Sequence, residues 1–277
     1  MGDMNRSVQR KMQLVQLEML NVVDDICRKY NIVYYLSCGS LLGAVRNQGF
    51  IPWDDDIDVS MPYDSYLRFL SVAQNELGEK YFLQTEDTDP CWHRAYATIR
   101  KNNTTMLRNR KWRAHQGIWL DIFPIAGVRN RYDFALKKLI FKASNFVLID
   151  PLYLPYKESF ENDYGRPFCR LLDIFFIVPK SVRRVLHKGM TGYILNGKCD
   201  ACATEVWCSL TGPLPGIIMQ GPERSVLFEG RRYPTFPRYK TYLRYRYGKD
   251  YMIPVKYERA LDSIVIDFDK DYTEYWD

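Results

Sequence analysis

Residues 36–59 read LSCGSLLGAVRNQGFIPWDDDIDV, and this stretch decides the fold. Ile32–Leu36 is a short β-branched and aromatic run, and Gly39-Ser40 breaks it before Leu41–Arg46, which suits a short helix. Asn47-Gln48-Gly49 and Pro52 mark a loop. Asp56-Ile57-Asp58-Val59 then alternates polar and apolar as a half-buried strand does, until Pro62 ends it. The order is strand, tight turn, short helix, loop, strand. Side chains alternate across a strand, so Asp54, Asp56 and Asp58 are expected on one face and Asp55 on the other. Carboxylates that close repel one another and would be costly to bury unpaired, so the pattern calls for a cation. Mg²⁺ suits it, or Mn²⁺ in its place: both take oxygen ligands and keep positions for water and substrate phosphates. The expected substrate therefore carries phosphate.

Two further pieces fit that chemistry. Gly39 lets the backbone approach a phosphate closely, and Ser40 at a helix start can offer its hydroxyl and N–H to a phosphoryl oxygen. Asp121 lies in GIWLDIFPI, an otherwise apolar strand expected over Gly117–Ile122 and stopped by Pro124, where a carboxylate without a partner would be unusual. Asp56, Asp58 and Asp121 are thus the candidate catalytic and metal-binding set, with Asp54 as a further ligand. Arg46 at the end of the short helix, and Arg100 and Lys101 at the end of a strand, are the expected phosphate-facing cations. His115 is the histidine best placed to contact substrate.

Outward from this centre, Val8–Tyr30 has the three-and-four spacing of an amphipathic helix, Tyr63–Leu77 is helical by period, and Tyr81–Thr85 and Ala95–Arg100 read as strands. Past Gly127 the pattern changes to helices, about Tyr132–Ile149 and Phe168–Ile177 running on past Pro179 toward His187. Cys199–Arg224 reads as loop, Pro237–Tyr247 as helix and Ile264–Phe268 as a terminal strand. The organisation expected is a catalytic core over residues 1–128 and a helical elaboration over 129–277, packed on that core.

Composition narrows the class. Hydrophobic residues make up 47% and charged ones 26%, as in an ordinary globular protein, and the net charge of +6 favours anionic partners without naming one. Seven cysteines without dense spacing point to reduced thiols and a cytoplasmic setting, and Met1–Tyr30 is too charged for a signal peptide. No apolar run is long enough to span a bilayer. Cys199, Cys202 and Cys208, with His187 or Cys169, give only half a zinc pattern, and reduced thiols are the simpler reading. Arg231–Lys249 interleaves seven basic residues with five tyrosines, which reads as rings packed on the core with cations outward, not as a nucleic-acid surface.

Leu36–Val59, Gly117–Pro124 and the segment FEGRRYPTFPRYKTYLRYRYGKDYMIPV, Phe228–Val255, resemble the LicD family of phosphotransferases, which includes phosphorylcholine transferases and is related to fukutin and fukutin-related protein. The resemblance implies an α+β nucleotidyltransferase fold like that of DNA polymerase β, with a mixed sheet flanked by helices. It also implies a CDP-linked donor such as CDP-choline, and transfer of the phospho-substituent to a sugar hydroxyl with release of CMP. On that likeness Asp56 and Asp58 are the metal-binding pair, Asp121 the third carboxylate, and Gly39 and Ser40 the phosphate-contacting turn. The expected acceptor is a cell-surface glycan, teichoic-acid precursor or lipid-linked oligosaccharide. Glycerol phosphate or ribitol phosphate is the alternative cargo, and a nucleotide- or glycan-binding protein the alternative class. A quaternary ammonium would be held by aromatic faces, for which Trp53, Trp92, Trp112 and Trp119 are candidates. Arg183, Arg184 and Lys188 beside Phe175, Phe176, Val185 and Leu186 are expected to seat a helix on the inner face of an anionic membrane.

Overall fold

The computed structural model describes residues 2–92, 94–107, 110, 112–147, 177–195, 202–205, 214–255 and 264–276. The first helix, α1 (Gly2–Lys29), buries Met12, Met19, Leu20, Val23, Ile26 and Cys27 along one side, as their spacing requires. Arg28 and Lys29 lie in its last turn, where the helix dipole favours cations, and Asn31 at φ 51° turns the chain out of it. Then follow β1 (Tyr35–Leu36), α2 (Cys38–Asn47), β2 (Asp58–Pro62), α3 (Tyr63–Leu77), β3 (Tyr81–Gln84), β4 (Ala97–Lys101), β5 (Thr105–Leu107) and β6 (Trp119–Val128). The later elements are α4 (Arg131–Val147), α5 (Lys180–Leu195), β7 (Cys202–Glu205), β8 (Leu214–Pro215), β9 (Arg224–Phe228), β10 (Arg231–Thr235), α6 (Tyr239–Tyr247) and β11 (Val265–Asp267).

Strands run in the order β3-β4-β6-β2-β1-β10-β9, with β7 pairing the far half of β6 and β8 pairing β7. The β2–β6 and β1–β10 pairs are parallel and the rest antiparallel, so the sheet is mixed; β5 and β11 form a separate ribbon. Val59 and Met61 of β2 and Leu120 and Ile122 of β6 join the main core with Phe69 and Ala73 of α3 and the buried stripe of α1. By alternation the opposite face presents Asp58, Asp121 and Phe123, and there Phe123 packs with Cys38, Trp92 and Tyr96 in a second apolar cluster.

Three readings of the sequence need correction. First, β6 does not stop at Pro124 but runs on to Val128. Asp121 donates its N–H toward β2, to Ile57 O at 3.0 Å, so the nitrogen of Pro124 faces the opposite edge. There β4 has ended at the Ala97–Ile122 pair and β7 begins only at Ile125, so the missing N–H leaves no ladder bond unmade. Second, Cys199–Arg224 is not all loop: β7 and β8 add to the sheet, strands too short to show a period, β7 formed on the edge of β6 and β8 on the edge of β7. Third, β5 was not anticipated; its three residues pair with β11, far along the chain. Residues past 128 thus share a sheet with residues before it, through β7 and β8 at one end and β9 and β10 at the other.

Candidate active site

Asp58 and Asp121 meet because β2 and β6 are parallel and in register. Asp58 pairs with Asp121, Val59 with Ile122, and so on to Pro62 with Ile125. Paired residues of neighbouring strands share a face, so the two carboxylates stand side by side. On the other flank of β6, Thr98 of β4 is the partner of Asp121 and donates its hydroxyl to Asp121 Oδ1 at 2.6 Å.

The remaining acids arrive on a loop. A turn at Pro52-Trp53, closed by Asp54 N–H to Ile51 O at 2.9 Å, bends the chain, and β2 begins only at Asp58. The expected strand alternation therefore does not hold upstream of Asp58. Asp54, Asp55 and Asp56 instead bring one carboxylate oxygen each within 4.8 Å of one another, so Asp55 joins the cluster that strand geometry assigned it away from. Glutamines on one face of α1 hold this loop by its carbonyls. Gln9 and Gln13 donate to Asp54 O at 3.1 and 3.0 Å, and Gln16, wholly buried, donates to Asp55 O at 2.8 Å and to Trp119 O at 3.1 Å. Gln16 thereby ties the loop to the start of β6. Gly39 fits against this loop: a Cβ there would lie 2.5 Å from Asp54 Oδ2, so only glycine lets the carboxylate approach the start of α2.

These acids form one edge of a cleft of about 930 Å³, lined by Asp54, Asp55, Asp56, Asp58 and Asp121. Burial, then the neighbouring charges of Asp56, Cys38, Asp121 and Asp54, pushes the Asp58 carboxyl well above the usual carboxylate range. Such a group binds a proton or a cation. The donors are all hard carboxylate oxygens, which fits Mg²⁺ or Mn²⁺ and not a soft metal.

The other expected substrate contacts divide. Gly39, Arg46 and Arg100 line the cleft; Ser40, Lys101 and His115 do not. Ser40 is buried and its Oγ accepts from Asp58 N–H at 2.9 Å, so it secures the start of β2 rather than a phosphate. Lys101 points the other way, to Glu18 at 3.3 Å. His115 is enclosed by Phe82 and Tyr272 and bonded to Asn102, and burial with Arg100 nearby lowers its pKa to about 3, which leaves it neutral. Arg46 donates to Tyr251 O and Ile253 O at 3.3 and 3.4 Å. Arg100 lies between the Trp92 and Trp119 rings, 5.7 and 5.2 Å from their centroids, and donates to Gln84 Oε1 and Gly117 O.

Sequence reasoning missed Arg94, Arg246 and Tyr247 on the cleft wall. Arg246 and Tyr247 belong to the last turn of α6, in the tyrosine-rich stretch, where Tyr233 and Tyr242 are fully buried while Tyr245 and Tyr247 are 40% and 39% exposed, so only part of the stretch packs inward. Burial and the nearby Cys38 raise the Tyr247 phenol far above its usual range. Of the four tryptophans named for an aromatic cage, all line the cleft, and Trp92 and Trp112 stack at 6.0 Å. His187 bonds Glu86 at 2.7 Å. Cys169, Cys199 and Cys208, like Phe175 and Phe176, lie outside the described residues.

Residues 31–164, which carry every carboxylate of the cleft's acidic edge, match the family model described as LicD/FKTN/FKRP, nucleotidyltransferase domain. The chain is 37% identical over 127 residues to the lipopolysaccharide cholinephosphotransferase LicD of Haemophilus influenzae, a match covering 46% of this chain and 48% of that protein. Uncharacterised proteins of Rickettsia typhi and Rickettsia prowazekii are each 34% identical, over 65 and 62 residues. Those matches cover 24% and 22% of this chain, and 21% and 23% of the two rickettsial proteins. The chain thus spans about half the length, or less, of these curated relatives. Over residues 31–164 it is similar to the LicD/FKTN/FKRP nucleotidyltransferase-domain family.

Proposed function

We propose that the protein is a divalent-metal-dependent phosphotransferase with a nucleotidyltransferase fold. It moves phosphocholine from CDP-choline onto a sugar hydroxyl of a cell-surface glycan or teichoic-acid precursor and releases CMP. The observation that carries this reading is the register of β2 against β6, which sets Asp58 beside Asp121 with Asp54, Asp55 and Asp56 at the same edge of the cleft. The cholinephosphotransferase activity named for the Haemophilus relative supports it from outside.

In the reaction the acceptor oxygen attacks the choline-bearing phosphorus, the bridging P–O bond breaks, CMP leaves with that bond's electrons, and the hydroxyl proton is released. Asp54, Asp56 and Asp58 would hold the cation. A cation so held would supply the positive charge that the diphosphate and the departing CMP require. Asp121, oriented by the Thr98 hydroxyl, faces the same space and serves as a ligand or as the group that takes the acceptor's proton. Arg46 and Arg246 supply positive charge on the cleft wall across from the acids.

The aromatic lining favours choline over a polyol. Trp53, Trp92, Trp112, Tyr96 and Phe123 give the cleft an aromatic wall that suits a quaternary ammonium, which has no hydrogen-bond donor, whereas glycerol or ribitol phosphate calls for polar partners. Incubation with CDP-choline, CDP-glycerol or CDP-ribitol, a glycan acceptor and Mg²⁺ or Mn²⁺ tests the proposal through CMP release. CMP is expected from CDP-choline only with metal present, and Asp121→Asn is expected to abolish it. Pyrophosphate release from CTP in place of CMP transfer, or full activity in Asp121→Asn, would overturn it.

A further inference from the structure

We propose that α4 and α5 together form a surface that docks on an anionic bilayer. The two helices pack on each other and on β6. Arg183 of α5 donates to Val147 O, and Tyr193 to Asp133 Oδ1 of α4, so the pair is antiparallel and its outer faces look away from the sheet on the same side. Along that outer side α4 presents Tyr132, Leu136 and Leu139, and α5 presents Val182, Val185 and Leu186, each at helical spacing. Tyr132, Leu139 and Val185 are 70%, 64% and 71% exposed. Single exposed apolar side chains are ordinary, but an aligned set on adjacent helices marks an interaction surface.

Charge selects the occupant. Arg131 and Lys142 are exposed and Lys138 and Lys180 half-exposed along the two helices, while the exposed Lys188 is paired with Asp87. Their lone carboxylate, Asp133, is buried and tied to Arg129 and Lys137. An apolar stripe rimmed by cations, on helices whose own carboxylate is turned inward, has the character of a helix lying in a lipid headgroup layer. The residues differ from those the sequence suggested. Arg183 is buried against Val178 O and Val147 O, Arg184 donates to Pro90 O, and Lys188 pairs with Asp87. Together with His187–Glu86 these contacts fasten α5 to residues 86–90, which lead directly into Trp92 on the cleft wall. Docking at this surface would hold the cleft at a set orientation to the membrane, where a lipid-carried acceptor would be presented.

Vesicle co-sedimentation of the full chain tests this, using phosphatidylcholine alone and with about 30 mol% phosphatidylglycerol. Binding is expected only to the anionic vesicles, weakening with salt. It should fall at least roughly tenfold in Leu139→Glu/Val185→Glu and also in Lys138→Glu/Lys142→Glu, with unchanged circular dichroism and melting temperature. No binding by the native chain, or equal binding by the folded variants, would overturn the proposal. So would a dimer seen by analytical ultracentrifugation that Leu139→Glu/Val185→Glu dissolves, which would make the face a contact between copies. CMP release onto a soluble acceptor does not use this surface, so it reports on the phosphotransfer reading separately.

Discussion

Asp58 and Asp121 are held by the sheet, whereas Asp54, Asp55 and Asp56 are held by a helix. The first pair rides on adjacent parallel strands, where backbone hydrogen bonds repeat every second residue and leave each side chain little choice of direction. The second group sits on a loop whose carbonyls are gripped by glutamine side chains of α1, an element outside the sheet and upstream of the family-matched region. One cluster of like charges thus combines a half set by strand register and a half set by side-chain hydrogen bonds from α1.

The sharpest way to break that contrast is to neutralise one acid from each half. Asp58→Asn is expected to lower turnover by roughly 10³-fold, and Asp54→Asn by about tenfold, because Asp58 is buried on the strand beside Asp121 whereas Asp54 shares its loop with Asp55 and Asp56. CMP release measures both. Equal losses would mean that loop and strand acids contribute alike. In the absence of metal Asp58→Asn should also melt no lower than the native chain, since it removes a buried carboxyl crowded by Asp56 and Asp121.

A smaller effect lies in the pH dependence of the metal-free protein. Folding raises the Asp58 pKa above its ordinary 3.8, so the native state keeps a proton that the unfolded chain has already lost. Stability contributed by this group is therefore full below that value and falls as pH rises from it through the raised native pKa. Thermal melts at about pH 5 and 8 should show this decline, and Mg²⁺ or Mn²⁺ should offset it most at the higher pH, where the carboxylate is ionised. A metal-independent melting temperature at pH 8 would remove the basis for a cation at these acids.

The smallest expected effect tests the helical grip. Gln16→Leu should cost about 1–3 kcal/mol in urea denaturation, because it strips two buried carbonyls, on Asp55 and Trp119, of their donor. Gln9→Ala, at the half-buried end of the row, should cost less than about 1 kcal/mol. If Gln16→Leu leaves both stability and metal-induced stabilisation unchanged, the loop acids are placed by something other than α1.

Much of this was legible beforehand. Asp56 and Asp58 stood out through their Asp-x-Asp spacing and Asp121 because a carboxylate in an apolar strand is rare whatever the tertiary fold, and α1 and α3 announced themselves through long, regular periods. Short elements were hidden for the complementary reason. β5, β7 and β8 have too few residues to establish a period and exist because distant partners offer an edge. Lys101, Ser40 and His115 looked like substrate contacts since their residue types suit phosphate, but side-chain direction belongs to packing, and each is engaged by a neighbour instead. Arg246 and Tyr247 were invisible as cleft residues, because nothing local says that the last turn of α6 returns to the start of α2.

Residue order alone was enough to single out Asp54, Asp56, Asp58 and Asp121 as acids in unusual settings and Gly39 as a point of close backbone approach. Tertiary packing alone chose the register that pairs Asp58 with Asp121, folded Asp55 into the same cluster, and set the glutamines of α1 over the loop. The reason is physical: periodicity and residue type act over a few positions, whereas strand register and the placement of one element over another are settled by contacts between residues far apart in the chain.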